Sequence, residues 1–134
     1  MRKTKKILLI AGVIPLVVLF IAAGSFISTA NKMTDKLENL KFETINIKEL
    51  PNGKYLGEYD MGLVYAKVEV EIANGRINKI ELLQHDNMKG EPAEIITADI
   101  IVEQKIDVDA ISGATASSQT IKKAVETALL NQNQ

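Results

Sequence analysis

The sequence contains no cysteine and no tryptophan, and only one histidine, three tyrosines and three phenylalanines among its 134 residues. Without cysteine there is no disulfide, no thiolate metal site, no iron–sulfur cluster, no thioether-bound haem and no lipid-modified N-terminal cysteine. A single histidine, His85, excludes a multi-histidine metal or haem site. Few aromatic residues are present to stack on a planar ligand, so aliphatic groups and backbone must hold most of one. The length allows at most one domain. Positive charge is scarce outside the N-terminus. Arg2, Lys3, Lys5 and Lys6 are four of the sixteen basic residues, and the other twelve face seventeen acidic residues, a net of −5. A mildly acidic body of this kind is a poor binder of nucleic acid.

What is present begins with a long uncharged run. Residues Ile7 to Ser28 are apolar or small throughout. That length crosses a bilayer as a helix, which takes roughly 20 residues. Pro15 is tolerated inside such a helix. The basic cluster before the run places residues 1–6 in the cytoplasm and everything after Asn31 outside, by the positive-inside rule. The competing reading is a cleaved signal peptide, because Ser28-Thr29-Ala30 resembles a small-residue cleavage site. Residues 1–30 thus form an anchor or signal peptide, 31–50 a charged connector, and 51–134 the globular domain. Met33, Leu37 and Leu40 predict a short amphipathic helix in the connector. Ile45 and Ile47 alternate with polar residues and suggest the start of the sheet. The charged composition otherwise predicts a movable arm.

In the globular part, Lys54 to Asp60 reads as a strand, with Tyr55 and Tyr59 on one face and Gly57 marking a bulge or close packing. Leu63 to Ala73 is the clearest strand. Val64, Ala66, Val68, Val70 and Ile72 point one way, with Lys67, Glu69 and Glu71 opposite. Asn74-Gly75 predicts a type I′ hairpin. Arg76 to Leu83 returns, and Gln84 to Glu91 reads as a polar loop holding His85, Met88 and Gly90. Pro92 suits a helix start, and Ala93 to Gln104 reads as that helix. A last helix runs from about Ser118 to Leu130, with Ser117 or Ser118 as N-cap. The predicted fold is α+β: an antiparallel meander packed by two helices, preceded by one transmembrane helix.

Between the two helices lies Asp109-Ala110-Ile111-Ser112-Gly113-Ala114-Thr115. It combines a carboxylate, a tight turn and a hydroxyl. Gly113 supplies permissive dihedrals, Ala114 adds little bulk, and a helix start nearby favours an anion. Read as Asp, two free positions, Ser, Gly, Ala, Thr, the pattern arises by chance on the order of once in a few thousand chains this long. It resembles the flavinylation motif of the FMN-binding domain family, as in the C subunit of the sodium-translocating NADH:quinone reductase and the G subunit of the Rnf complex. Tyr55-Leu56-Gly57, the strand pair through Leu83, the His85–Gly90 loop and Gln104 fit the same family pattern. Ala116 departs from it, since many members carry a large residue there.

The resemblance implies FMN bound covalently through a phosphoester to Thr115. It implies that Ser112, Gly113, Ala114 and Ser117 flank the cofactor and that Asp109 is recognised by the modifying enzyme. His85 takes a flavin-contacting role in this reading; otherwise it is an ordinary loop histidine. Met88, Tyr55 and Tyr59 are either ring contacts or plain packing. No catalytic residue and no metal ligand is expected. The implied function is a membrane-tethered, extracytoplasmic electron carrier rather than a stand-alone enzyme. The implied partners are an FAD-dependent flavin transferase, a membrane NADH- or quinol-linked donor and an external acceptor. One alternative is a membrane-anchored accessory module without covalent flavin. Another is a reductase-like protein holding FMN noncovalently.

Overall fold

The computed structural model describes residues 2–131, and side chains from residue 10 onward. Helix α1 spans Arg2–Glu38 and includes Pro15. Its residues from Ile10 form a stretch long and apolar enough to cross a membrane, with mean hydropathy 2.6 in its most apolar window. Phe20 and its apolar neighbours are exposed to the surroundings rather than buried in the protein. α1 continues past the apolar run through the first part of the connector, as the Met33 and Leu37 spacing predicts.

The sheet is an antiparallel meander of β1 (Gly53–Asp60), β2 (Tyr65–Ala73) and β3 (Arg76–Asp86), in the order β1-β2-β3. Asn74 and Gly75 join β2 to β3 with φ values of 53° and 69°, the paired positive dihedrals that a type I′ turn requires. One face of β2 is wholly buried: Ala66, Val68, Val70 and Ile72 enter the core, and Val64, just before the strand, is buried too. The opposite face carries the ion pairs Lys54–Glu69, Lys67–Glu58 and Lys79–Glu81. These are exposed, so each contributes at most about 1 kcal/mol.

β3 runs three residues beyond the expected Leu83, and its register with β2 slips twice. The slip beside Lys67 and Val68 leaves Leu83 as an extra residue, since Val68 pairs with Leu82 and Lys67 with Gln84. The bulge inverts the alternation. His85 therefore pairs with Ala66 on the core side, and it belongs to the sheet rather than to a loop.

Two helices cover the core face. The expected helix from Ala93 begins instead as a 3₁₀ turn over Glu91–Ile95 and becomes α2 at Ile96–Glu103. Gln104 ends it in the left-handed conformation, with φ 54°. Its amide spans to β3: Oε1 accepts from the Ile77 N–H and Nε2 donates to the Ile77 carbonyl, both at 2.8 Å. Helix α3 spans Thr115–Leu130, three residues earlier than expected. It buries Ile121, Ala124, Val125, Ala128 and Leu129 against β1 and β2. Gly57 is where it crosses β1. A Cβ there would lie 2.1 Å from the Ala124 carbonyl oxygen, so Gly57 marks close packing and not a bulge.

The connector is less free than its composition predicts. No strand forms at Ile45 and Ile47; residues 47–49 make a 3₁₀ turn and Ile47 is buried in the core. Phe42, Ile45 and Leu50 pack against the same core. Phe42 lies beneath two cations, with Lys122 Nζ 4.5 Å and Lys123 Nζ 5.1 Å from its ring centre. The Glu43 N–H donates to the buried Glu126 carboxylate, which also pairs with Lys123. Averaged composition hides these contacts because the anchoring apolar side chains are interleaved with charged ones.

Candidate functional site

The chain from Ile106 to Thr115 crosses from α2 to α3 and is tied to α3 at two points. Lys122 is almost wholly buried and donates from Nζ to Asp107 Oδ1 and to the Val108 carbonyl, each at 2.7 Å. Ser118 Oγ accepts from the Ile111 N–H at 2.9 Å. Asp109 lies between the two ties with its side chain in solvent. The Ala114 N–H then donates to the Ile111 carbonyl at 3.0 Å, closing a four-residue turn. Gly113 is the third residue of that turn with φ 77°. A Cβ on it would meet nothing, so the dihedral alone calls for glycine.

Thr115 follows as the first residue of α3, exposed to solvent. The expected serine cap is not formed: Ala114 occupies the N-cap position, and among the described residues no side chain caps the helix start. Ser117 and Ser118 lie inside the helix and are buried. The correction has a physical cause. Ser118 is used to hold Ile111, and Ser117 is covered by the loop before α2. A Cβ on Gly90 would lie 1.9 Å from Ser117 Oγ, so only glycine lets the loop lie this close. With no side-chain cap, the first-turn donors and the dipole of a sixteen-residue helix are directed at whatever lies beside Thr115.

A cleft of about 160 Å³ opens at this helix start. Gly113, Ala114, Thr115, Ala116 and Ser117 form one side, and Met88, Lys89 and Gly90 another. Val64 and Met33 complete it. Four of the expected site residues, Gly113, Ala114, Thr115 and Ser117, therefore converge. Ser112 and Asp109 are exposed nearby in sequence but do not line the cleft. Nor does His85, whose imidazole is only 2% exposed. Its Nδ1 sits 2.9 Å from Glu94 Oε1, which fixes Nδ1–H as the donor, and its buried Nε2 has no partner among the described residues. Tyr55 donates to the Pro51 carbonyl, and both Tyr55 and Tyr59 are half-buried against the core, away from the cleft.

Met33, Val64 and Lys89 line the cleft without having been singled out from the sequence. The sequence marks Met33 only by its i, i+4 spacing with Leu37, Val64 only by the alternation of its strand and Lys89 only as part of the His85–Gly90 loop. The cleft wall is aliphatic, as the scarcity of aromatics demands, and Lys89 adds the one cation. A larger open depression of about 400 Å³ lies between Asp60, Gly62, Leu63, Tyr65, Gln84 and Asp86. Its two carboxylates repel a phosphate, and it includes none of the motif residues.

These features define an α+β domain with an anion-favouring helix start, an exposed hydroxyl and a shallow apolar cleft at one end of the sheet. The chain belongs to the FMN-binding domain family, whose model matches residues 63–130. Membership marks it as a flavin-binding protein. The match begins after β1, so the Tyr55-Leu56-Gly57 strand lies outside it. No curated protein and no solved structure matches the chain.

The residues present fit such a cofactor. A phosphate at Thr115 would meet uncapped N–H groups, and an isoalloxazine would meet Met88, Val64, Ala114 and Ala116. At about 160 Å³ the cleft is below the roughly 300 Å³ at which enclosed small-molecule pockets begin. Most of a flavin would lie across it rather than within it.

Proposed function

We propose that this protein is a membrane-tethered electron carrier with FMN joined covalently to Thr115. The observation that carries the reading is the exposed Thr115 hydroxyl at the uncapped start of α3, beside a cleft too small to retain a flavin by enclosure. A covalent bond supplies the retention that the cleft does not. In attachment, Thr115 Oγ1 forms a P–O bond to the FMN phosphate of FAD. The pyrophosphate bond breaks, and AMP leaves as the hydroxyl proton is lost. A flavin transferase supplies FAD and the catalytic groups for this step. Asp109 and Ser112, both exposed, are the side chains that the transferase reads.

Once bound, FMN supplies the redox chemistry. The chain supplies position: Lys122 and Ser118 hold the motif, the uncapped helix start would favour the phosphate, and Met88 would offer an apolar contact to the ring. The electron donor is a membrane NADH- or quinol-linked system and the acceptor is external, with the domain on the extracytoplasmic side. Mass spectrometry of the chain coexpressed with a transferase should find one FMN moiety on the peptide containing Thr115, with yellow colour that survives denaturation. An unmodified peptide would overturn the covalent reading. Colour lost on denaturation would assign the noncovalent alternative.

A further inference from the structure

The helix that is long and apolar enough to cross a membrane also contributes to the cleft. Met33 of α1 lines it together with Thr115. The turn between β1 and β2 seats directly on α1: a Cβ on Gly62 would lie 3.4 Å from Thr29 Cγ2 and 3.8 Å from Met33 Cβ. Lys36 Nζ donates to the Asp60 carbonyl at 2.7 Å and stands 5.8 Å over the Tyr59 ring. Little slack follows. α1 ends at Glu38, and the chain is docked again at Phe42, beneath Lys122 and Lys123. Contacts on both sides of residues 39–41 restrain how the domain turns on its anchor.

Height follows from helix geometry. Met33 is five residues beyond Ser28, the end of the uncharged run. At 1.5 Å per residue that is about 8 Å above the hydrocarbon. The headgroup layer on one side is roughly 5–8 Å thick, so Met33 lies at its outer edge.

We infer that the juxtamembrane turn of α1 is a fixed wall of the Thr115 cleft, and that it presents the cleft at the membrane surface to an electron carrier confined there. The partner half of this inference rests on the flavin and membrane readings proposed above; the docking half does not. It replaces the swinging arm with a fixed mount, and it makes Thr29, Met33 and Lys36 positioning residues.

The absence of native cysteine and tryptophan makes the test clean. The full chain carrying Met33→Cys and Gly62→Cys, in phosphatidylcholine vesicles, should form an intramolecular disulfide on mild oxidation, because about 3.8 Å is the usual Cβ separation. It should do so equally in a Thr115→Val background, which bears no flavin at that site. Gly62 has φ 119°, where a side chain is strained, so a second pair avoids it. Bimane on Met33→Cys should lose fluorescence when Met88→Trp is added across the cleft. Failure of both, in chains whose wild-type counterpart carries the FMN adduct, overturns the docking and leaves the flavin reading standing. A missing adduct with both signals intact overturns the flavin reading and leaves the docking.

The height is tested with bimane on Met88→Cys and a phosphatidylcholine bearing a headgroup nitroxide. Quenching supports the surface position. Fluorescence equal to that in unlabelled vesicles overturns it.

Discussion

Thr115, Ser117 and Ser118 are three hydroxyls within four residues, yet the structure gives them unlike surroundings. Thr115 is exposed, Ser117 lies under Gly90, and Ser118 holds the Ile111 N–H. Only the first is reachable by a modifying enzyme. Thr115→Val keeps the shape and removes the oxygen. It should abolish the covalent flavin while shifting stability by no more than about 0.5 kcal/mol, as for other exposed substitutions. Intact mass and a thermal melt check both halves, and flavin surviving denaturation would place the attachment elsewhere. Gly90→Ala forces a methyl against Ser117 Oγ and should destabilise by about 1–3 kcal/mol. Denaturant unfolding measures it, and Gly90→Ala/Ser117→Gly should recover part of the loss if the clash is the cause.

At the scale of elements, α3 is at once the core helix and the scaffold of the site. Its apolar face packs on β1 and β2, while Ser118 and Lys122 hold the motif segment. Ser118→Ala removes a hydrogen bond to a part-buried backbone donor, which costs about 1–2 kcal/mol. With that tie gone the turn at Ser112 and Gly113 is less fixed. At limiting transferase, flavinylation of Ser118→Ala should proceed more slowly, while Thr127→Ala, far along the same helix, should be modified at the wild-type rate. Equal rates for both would show that the tie serves the fold alone. The connector is the second element with a double use. Phe42→Ala should cost about 3–5 kcal/mol if it behaves as a buried aromatic, and less in proportion to its partial exposure. Urea melts of the full chain in detergent provide the number.

For the whole molecule, α1 and the domain are joined by docked chain on both sides of residues 39–41. Replacing residues 32–41 by a Gly/Ser segment of equal length removes Met33 and Lys36 from their contacts and leaves the motif alone. On the proposed function, flavinylation of Thr115 should persist, and reduction of the flavin by the proposed membrane donor should slow. An unchanged rate would show that the proposed transfer does not depend on how the domain is mounted on α1.

The sequence by itself determined most of what is local. Alternation placed the buried face of β2, Asn74-Gly75 placed the hairpin, and the uncharged run marked the membrane-length helix. The motif marked a tight turn leading to a helix because glycine and alanine carry their constraints wherever they sit, although α3 begins at Thr115 itself and not at Ser118. Tertiary structure decided the rest. His85 faces the core only because a bulge at Leu83 inverts the alternation, and no propensity encodes a bulge at that position. Ser118 became a tie instead of a cap because Ile111 lies beside it in space. Met33 and Val64, separated along the chain from Thr115, meet it in one cleft only after the β1–β2 turn seats on α1. Contacts between residues far apart in sequence depend on how elements pack together, and a period read along one segment carries no record of its neighbour.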